Sequence, residues 1–167
     1  MAGPALRALK ENLPGLHPGA RDPARLWDPK ALGATGAALR GHYGGTLVIL
    51  AGPGEEDLAE AVAGAAGAPC LTLAGRTPLA VLGAVIARLA VLICNDSGPA
   101  HVAYALGTPA VVVSDGSSLE RYGPPLDGPF RPVTAAGLDC LSPDSVLAAA
   151  GEVIRLPDLQ PGKVRVL

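Results

Sequence analysis

The feature that most constrains the fold of this chain is a unit that occurs three times in succession: a short apolar run, a turn, and a segment with helical character. The apolar runs are 46–51, 70–74 and 91–94, the helical segments are 55–66, 78–88 and 99–106, and a fourth run follows at 109–114. Short runs that are apolar on both faces are typical of buried strands, and alternating strands and helices place such strands parallel. The sequence predicts an α/β domain with a doubly wound parallel sheet.

The segments outside these units complete one domain. A helix is expected over 29–40, although Gly33 and Gly36 weaken it by about 1 kcal/mol each. An irregular stretch follows residue 114 and runs to 129, and a last helix is expected over 143–154 with Ser142 as its cap. We therefore expect an amino-terminal extension at 1–12, a single domain at 13–155 and a carboxyl-terminal tail at 156–167.

Composition excludes several classes of function. The chain has 167 residues, of which 49% are apolar, enough for one sizeable core. Only 17% of residues are charged and 3% aromatic, with a net charge of −2, so nucleic acid is not an expected partner. Three cysteines without a CxxC spacing favour neither a disulfide scaffold nor a zinc site, and no metal or cofactor is expected.

The distribution of apolar residues bears on location. The amino terminus lacks the continuous apolar stretch of a signal peptide. The most apolar window, 79–94, contains Arg88 and is shorter than the roughly 20 apolar residues that span a bilayer. We expect a cytoplasmic protein with at most peripheral membrane contact.

The most informative turn is Asn95-Asp96-Ser97-Gly98-Pro99-Ala100-His101, because ligands of open parallel sheets bind outside the carboxyl ends of the strands. Asp96 or Ser97 can cap the helix that follows, and Gly98 lets a ligand approach the backbone. Free amides at the helix start attract anions, and His101 lies about one turn further on, a combination that suits a pyrophosphate. Capped helix starts of this kind also occur in domains that bind nothing, so both interpretations stay open.

Three other turns offer candidate residues. Glu55 or Glu56 can accept hydrogen bonds from ribose or sugar hydroxyls, or can simply stabilise the start of a helix as first-turn acids. Arg76 is expected to be exposed and free to meet a charge, although its turn is also explained as a plain helix cap. In the segment 16–27, Arg21 and Arg25 invite a phosphate. A solvated basic turn with Trp27 packed in the core explains the same residues.

Taken together, these segments resemble glycosyltransferase family nine, the ADP-heptose:lipopolysaccharide heptosyltransferases. The resemblance is carried in order by LHPGARDPARLW at 16–27, LVILAGPGEED at 47–57, and the stretch 73–113 with its GRTPL, NDSGPAH and AYALGTP motifs. It covers roughly four fifths of the chain.

The resemblance implies the carboxyl-terminal, Rossmann-like half of a two-domain GT-B enzyme, which binds an ADP-sugar while an amino-terminal domain binds the acceptor. By position it implies that Asp96, Ser97, Gly98 and His101 hold the diphosphate and sugar. It also implies that Arg25, where relatives usually carry lysine, contacts phosphate, and that one of the Glu55–Glu56 pair faces the donor. The implied reaction is inverting sugar transfer, with the leaving group stabilised by the helix end and cations and not by a metal.

The chain departs from the family pattern at three points. It lacks an acceptor domain, where the general base of the family lies, so we expect binding with hardly any transfer. The strand expected just before His17 is interrupted by Pro14, since proline removes a donor from a sheet. After Val113 the family's aromatic-glycine-proline-threonine turn is replaced by residues 114–118, in which Asp115 would repel a diphosphate.

Two alternatives to ADP-sugar binding are retained. The chain could be half of an enzyme like the nucleotide-sugar 2-epimerases, which predicts a preference for UDP-sugars. It could also be a non-catalytic fragment or interaction module, indifferent to nucleotides. If the chain is half of a heptosyltransferase or of an epimerase-like enzyme, an uncovered apolar face is expected, which a separate acceptor-domain polypeptide or self-association would cover.

Overall fold

The computed structural model describes residues 13–154, apart from residues 68 and 76. The strands are β1 (Pro14–His17), β2 (Leu47–Ala51), β3 (Cys70–Ala74), β4 (Val91–Asn95), β5 (Ala110–Ser114) and β6 (Phe130–Thr134). The helices are α1 (Pro29–Tyr43), α2 (Glu56–Ala66), α3 (Leu79–Ile86), α4 (Gly98–Leu106), α5 (Leu119–Tyr122) and α6 (Pro143–Ile154). Short 3₁₀ turns lie at Pro23–Arg25 and Leu138–Cys140.

The six strands form one parallel sheet in the order β3-β2-β1-β4-β5-β6. The order reverses direction between β1 and β4, which is the topological switch of a Rossmann-like fold. The predicted doubly wound parallel sheet is therefore confirmed.

Helices cover both faces of the sheet, because the strand side chains are apolar on both sides. On one face α1, α2 and α6 pack against side chains such as Leu16, Ile49 and Val111. On the other face α3 and α4 pack against side chains such as Leu50 and Val112. No helix among the described residues is long and apolar enough to cross a membrane.

Two strands, β1 and β6, differ from the sequence prediction. Pro14 was expected to break the strand before His17, yet it is the first residue of β1, a position where proline is tolerated, and it pairs with Val91 in the middle of the sheet. The stretch up to 129 was expected to be irregular; it contains the short helix α5, and β6 follows it. Pro132 is compatible with β6 because β6 is an edge strand.

The helix ends differ from expectation by a few residues. The helix expected at 29–40 continues to Tyr43, and the one expected at 78–88 is shorter at both ends. The cap of α6 is confirmed, since the Ser145 amide donates to Ser142 Oγ at 3.2 Å. The expected extension 1–12, the tail 156–167 and Arg76 lie outside the described residues.

The glycines that weaken α1 as an isolated helix allow it to pack closely. A Cβ at Gly33 would collide with the backbone carbonyl of Val62 in α2, and one at Gly36 would lie 2.5 Å from Cδ1 of Leu16 in β1. The cost in helix propensity is therefore offset by close contact with α2 and the sheet.

Candidate functional site

Asn95 joins the two loops that diverge at the switch point. It is the last residue of β4 and is buried, and its side-chain amide donates to the carbonyls of Pro18 at 2.7 Å and Gly19 at 3.4 Å. Its Oδ1 accepts from the Trp27 amide at 3.1 Å. These bonds hold the loop after β1 against the end of β4, as a crevice at this position requires.

A cleft of about 400 Å³ opens on the β2 side of this point. It is lined by residues from the ends of several strands and the starts of the helices that follow: His17, Ala20, Arg21, Ala51, Gly52, Pro53, Glu55, Gly75, Thr77, Leu79, Leu82, Ser97, Gly98 and Pro99. Of the two candidate acids, Glu55 lines this cleft, whereas Glu56 lines a separate groove beside β3. The geometry thus brings Glu55, Ser97 and Gly98 together.

Glu55 is held by contacts from two loops. Its Oε2 accepts the Gly52 amide at 2.7 Å and lies 3.6 Å from Nε2 of His17. Gly19 approaches the carboxylate so closely that a Cβ there would overlap it. The Glu55 side chain makes no hydrogen bond to the first helical amides of α2. Its carboxylate instead accepts the Gly52 amide in the turn, and Glu55 lines the cleft.

His17 is buried at the end of β1 and is kept mainly neutral near pH 7. Burial lowers its pKa from the usual 6.5, although the Glu55 carboxylate opposes this shift. Its Nδ1 has no hydrogen-bond partner among the described residues. The cleft therefore contains a neutral imidazole beside a carboxylate.

Asp96, which follows β4 and does not line the cleft, is the centre of a charged cluster. Its Oδ2 lies 3.2 Å from Nη1 of Arg25 and also accepts the hydroxyl of Ser118. The Asp96 side chain is largely buried, while that of Arg25 is 38% exposed. The cluster joins the loops after β1, β4 and β5.

The start of α4 differs from expectation in its cap. Ser97 occupies the N-cap position, but its side chain makes no cap bond and its hydroxyl donates to the Asn95 carbonyl at 3.0 Å. The Asp96 carboxylate is taken by Arg25. The expected side-chain cap was therefore wrong, because both side chains bond elsewhere, and no side-chain oxygen occupies the first amides of α4.

His101 lies apart from the cleft lining, on the exposed surface of α4. Its ring meets Tyr104 and Tyr122 edge-on, with centroids 5.5 and 6.4 Å away. Burial, with smaller effects of Cys94 and Asp96, raises the pKa of Tyr104, so this phenol keeps its proton. The structure does not join His101 to Glu55 in one cavity; His101 is on the side of α4 that faces α5.

The remaining candidates are placed as follows. Trp27 is buried in the core, as one interpretation of its loop expected, while Arg21 is exposed and lines the cleft. The Asp115 carboxylate accepts bonds from the amide and hydroxyl of Ser117, and these bonds lower its pKa. The described residues hold no cluster of three His, Cys, Asp or Glu side chains suited to a metal.

Sequence reasoning did not select Asn95, His17 or Ser118 as site residues. The position of Asn95 at the end of an apolar strand was visible, and a buried polar residue at a strand end is a usable signal. The contact of Ser118 with Asp96 joins residues far apart in the chain, and no local pattern marks it.

The fold and this site define a Rossmann-like α/β domain with a ligand-sized cleft and a charged cluster at its switch point. The model of glycosyltransferase family 9 (heptosyltransferase) matches residues 5–128, and the chain belongs to this family. Two curated relatives, both lipopolysaccharide heptosyltransferase 3 of Escherichia coli, are 35% identical over 104 residues and 33% identical over 106 residues. These alignments cover 60% and 62% of this chain and 30% of each relative.

Solved structures of the family share the fold. The glycosyl transferase family 9 protein of Veillonella parvula DSM 2008 superposes with a TM-score of 0.79 at 23% identity, over 87% of this chain and 47% of its own. The E. coli ADP-heptose heptosyltransferase II superposes at 0.76 with 25% identity and the same coverage. E. coli heptosyltransferase WaaC with ADP superposes at 0.75 with 19% identity, over 89% of this chain and 47% of its own. This chain spans less than half the length of each relative.

Proposed function

We propose that this domain binds the donor of an inverting glycosyl transfer and that the donor is an ADP-linked sugar, of the ADP-heptose kind. The observation that carries the proposal is the grouping of Arg25, Asp96 and the uncapped start of α4 at the switch point, beside the Glu55 cleft. Family membership and a solved relative with bound ADP support the choice of nucleotide.

The diphosphate is assigned to the start of α4. A helix start carries partial positive charge, which favours phosphate. At α4 Pro99 has no amide hydrogen and the Ala100 amide donates to the Ser97 carbonyl at 3.0 Å, so the assignment relies on the helix charge and on Gly98. A Cβ at Gly98 would meet no atom within 4 Å, so a ligand can approach the backbone there. Ser97 and the exposed guanidinium of Arg25 flank the same position, and Arg25 supplies the cation that offsets the ligand's charge.

The nucleoside is assigned to the cleft, with Glu55 as acceptor for the ribose hydroxyls. The cleft is mostly apolar, and Glu55 lines it together with Ser97 and Gly98. A carboxylate near the diphosphate-binding helix start is the arrangement by which dinucleotide folds hold a ribose. Glu56 is no longer needed for this role, because it faces another groove.

The sugar is assigned to the far side of α4, near Asp96 and His101. Asp96 can accept hydroxyls, and the exposed His101 can donate to or accept from the same sugar. We also assign Arg76 to donor binding, as a cation that contacts the negatively charged ligand. During transfer, charge develops on the departing diphosphate, and Arg25 with the start of α4 stabilises it.

The acceptor and the general base are assigned to a partner domain. The chain matches less than half of its relatives, and a base that deprotonates an acceptor hydroxyl must face the donor from across the cleft. We expect that these residues alone bind the donor and transfer little. Leu79, 74% exposed at the cleft, is an apolar contact for an acceptor-domain polypeptide or for a second copy.

Light scattering tests whether a second copy of the chain binds at this surface. A mass that rises with concentration supports self-association, whereas a monomer mass throughout contradicts it. A nucleotide sugar carries charges that do not cross a bilayer unaided, so the proposal places the reaction in the cytoplasm.

Thermal unfolding with ADP, UDP and their sugar conjugates tests the nucleotide, with Arg25→Ala and His101→Ala as variants. A ligand at 100 times its dissociation constant adds about 2.7 kcal/mol to the free energy of unfolding. We expect ADP compounds to raise the midpoint, Arg25→Ala to reduce the shift for all of them, and His101→Ala to reduce it for the sugar conjugates.

Other outcomes would overturn the proposal. A preference for UDP compounds would favour the epimerase-like alternative, and no shift with any nucleotide would favour a non-catalytic domain. An unchanged affinity for the ADP-sugar in His101→Ala would remove His101 from the site.

A further inference from the structure

His17 is a polar side chain at a position where packing alone favours an apolar one. It lies at the end of the central strand β1 and is 6% exposed, between the apolar Leu16 and the buried Pro18. Its Nδ1 has no hydrogen-bond partner among the described residues, which destabilises the fold. A buried polar side chain with an unpartnered atom requires an explanation. We therefore look at what the other ring nitrogen, Nε2, contacts.

That other nitrogen faces Glu55. Nε2 lies 3.6 Å from Oε2 of Glu55, and both side chains line the cleft. Burial lowers the pKa of His17, so the ring is mainly neutral near pH 7 and carries one proton. Nε2 is the ring nitrogen beside the carboxylate, whereas Nδ1 makes no hydrogen bond among the described residues, although the backbone at Gly19 and at His17 itself also raises the pKa of the ring. The other charged group lining the cleft is Arg21.

The contact acts on a carboxylate that has one other donor. The Gly52 amide bonds Oε2 of Glu55 at 2.7 Å, and the backbone of Gly19 limits the space on the other side. The amide alone leaves the carboxylate free to rotate about its terminal torsion, which is broad. At 3.6 Å the His17 contact is longer than a hydrogen bond, and its shortening when ligand binds supplies a second donor that removes this freedom.

We infer that His17 is a positioning residue: its Nε2–H orients the Glu55 carboxylate to accept the ribose hydroxyls of the donor nucleotide. This inference rests on the proposed function of the cleft. His17 itself touches no reacting atom in this assignment, and its effect passes through Glu55.

Two variants separate positioning from packing. His17→Gln carries an amide N–H at about the reach of Nε2, whereas His17→Asn carries one at about the reach of Nδ1 and falls short of Glu55. His42→Gln is the control, because His42 lies exposed near the end of α1, away from the cleft. The probes are ADP and 2′,3′-dideoxy-ADP, which lacks both ribose hydroxyls, measured by calorimetry on the full chain.

We expect His17→Asn to weaken ADP binding about fivefold to tenfold, the size of one ordinary hydrogen bond, with little change for dideoxy-ADP. His17→Gln should recover most of the ADP affinity, and His42→Gln should change neither. Combining His17→Asn with Glu55→Gln should add little to the loss caused by Glu55→Gln alone.

Equal losses for both nucleotides, or equal losses in Asn and Gln variants, would assign His17 to packing and overturn the inference. A third outcome separates the inference from the proposed function. If the unaltered chain prefers ADP to dideoxy-ADP, and this preference is lost in Glu55→Gln but kept in His17→Asn, the inference fails and the proposed function stands. If the unaltered chain binds neither nucleotide, the proposed function itself fails. Unfolding midpoints of each variant show whether the fold is retained.

Discussion

Arg25 and Asp96 lie 71 residues apart in the chain, yet Nη1 of Arg25 is 3.2 Å from Oδ2 of Asp96. The pair joins the loop after β1 to the loop after β4, and Ser118 adds a third loop. Under the proposed function, Asp96 beside the diphosphate would repel the ligand, but the carboxylate is paired with Arg25, the cation assigned to the phosphates. The proposal therefore has donor phosphate and Asp96 compete for Arg25.

This competition predicts opposite effects of two substitutions on anion binding. Arg25→Ala should weaken inorganic pyrophosphate about tenfold, since a charge-assisted bond is lost. Asp96→Asn should strengthen it about threefold or more, because the anion that occupies Arg25 is removed. Calorimetry at low salt measures both. Asp144→Asn, on the exposed start of α6, is the control; an equal gain there would mean that only net charge matters.

Asn95 should be essential for the stability of the switch point. Asn95→Ala leaves the Pro18 and Gly19 carbonyls and the Trp27 amide without their partner, so we expect a loss of about 2–4 kcal/mol in the free energy of unfolding. Urea denaturation measures it. A loss below about 0.5 kcal/mol, the range of ordinary surface substitutions, would show that these bonds are not limiting.

Three glycines of α1 should respond differently to alanine. Gly41→Ala should stabilise by about 1 kcal/mol, since nothing lies within 4 Å of its added methyl group. Gly33→Ala should destabilise, because the methyl group meets the Val62 carbonyl of a neighbouring helix. Gly36→Ala should lie between them, because it meets a movable Leu16 side chain. The same order of unfolding free energies is expected in urea, and equal effects at all three sites would contradict the packing described.

Stability should depend on pH through His17. Because its pKa in the folded state is lowered from 6.5, the unfolded chain binds the proton more readily. The contribution is complete above 6.5 and is lost as pH falls from there through the lowered pKa. We expect the free energy of unfolding to fall as the pH drops below about 6.5, and to fall less steeply in His17→Gln. Equal slopes would show that His17 titrates alike in both states, and His42→Gln controls for loss of a histidine.

The repeated apolar runs predicted the sheet well because strands buried on both faces have a strong local signature. The run 70–74 and the helix 143–154 were predicted with the bounds observed. β1 was not, because Pro14 suggested a break, and β6 was not predicted at all. Whether a proline is tolerated depends on whether it stands at a strand start or in an edge strand. That depends on the assembled sheet.

The candidate site was predicted in part for a similar reason. The turn 95–101 was identified because strand ends and glycine-proline helix starts are local features. The choice of Glu55 over Glu56 required the structure, since both are adjacent and acidic and only the direction of the helix start separates them. The capping role expected of Ser97 and Asp96 failed because Asn95 and Arg25 offered other partners.

The position of β1 has a consequence for the order in which the sheet assembles. β1 precedes every other described strand in the chain, yet one of its edges pairs with β2 and the other waits for β4, whose Val91 aligns with Pro14. Closing that long loop is slow compared with forming the local pairs of β2 with β3 or of β4 with β5. The half-sheets β3-β2-β1 and β4-β5-β6 can therefore form early. The crevice between β1 and β4 forms only when these half-sheets dock.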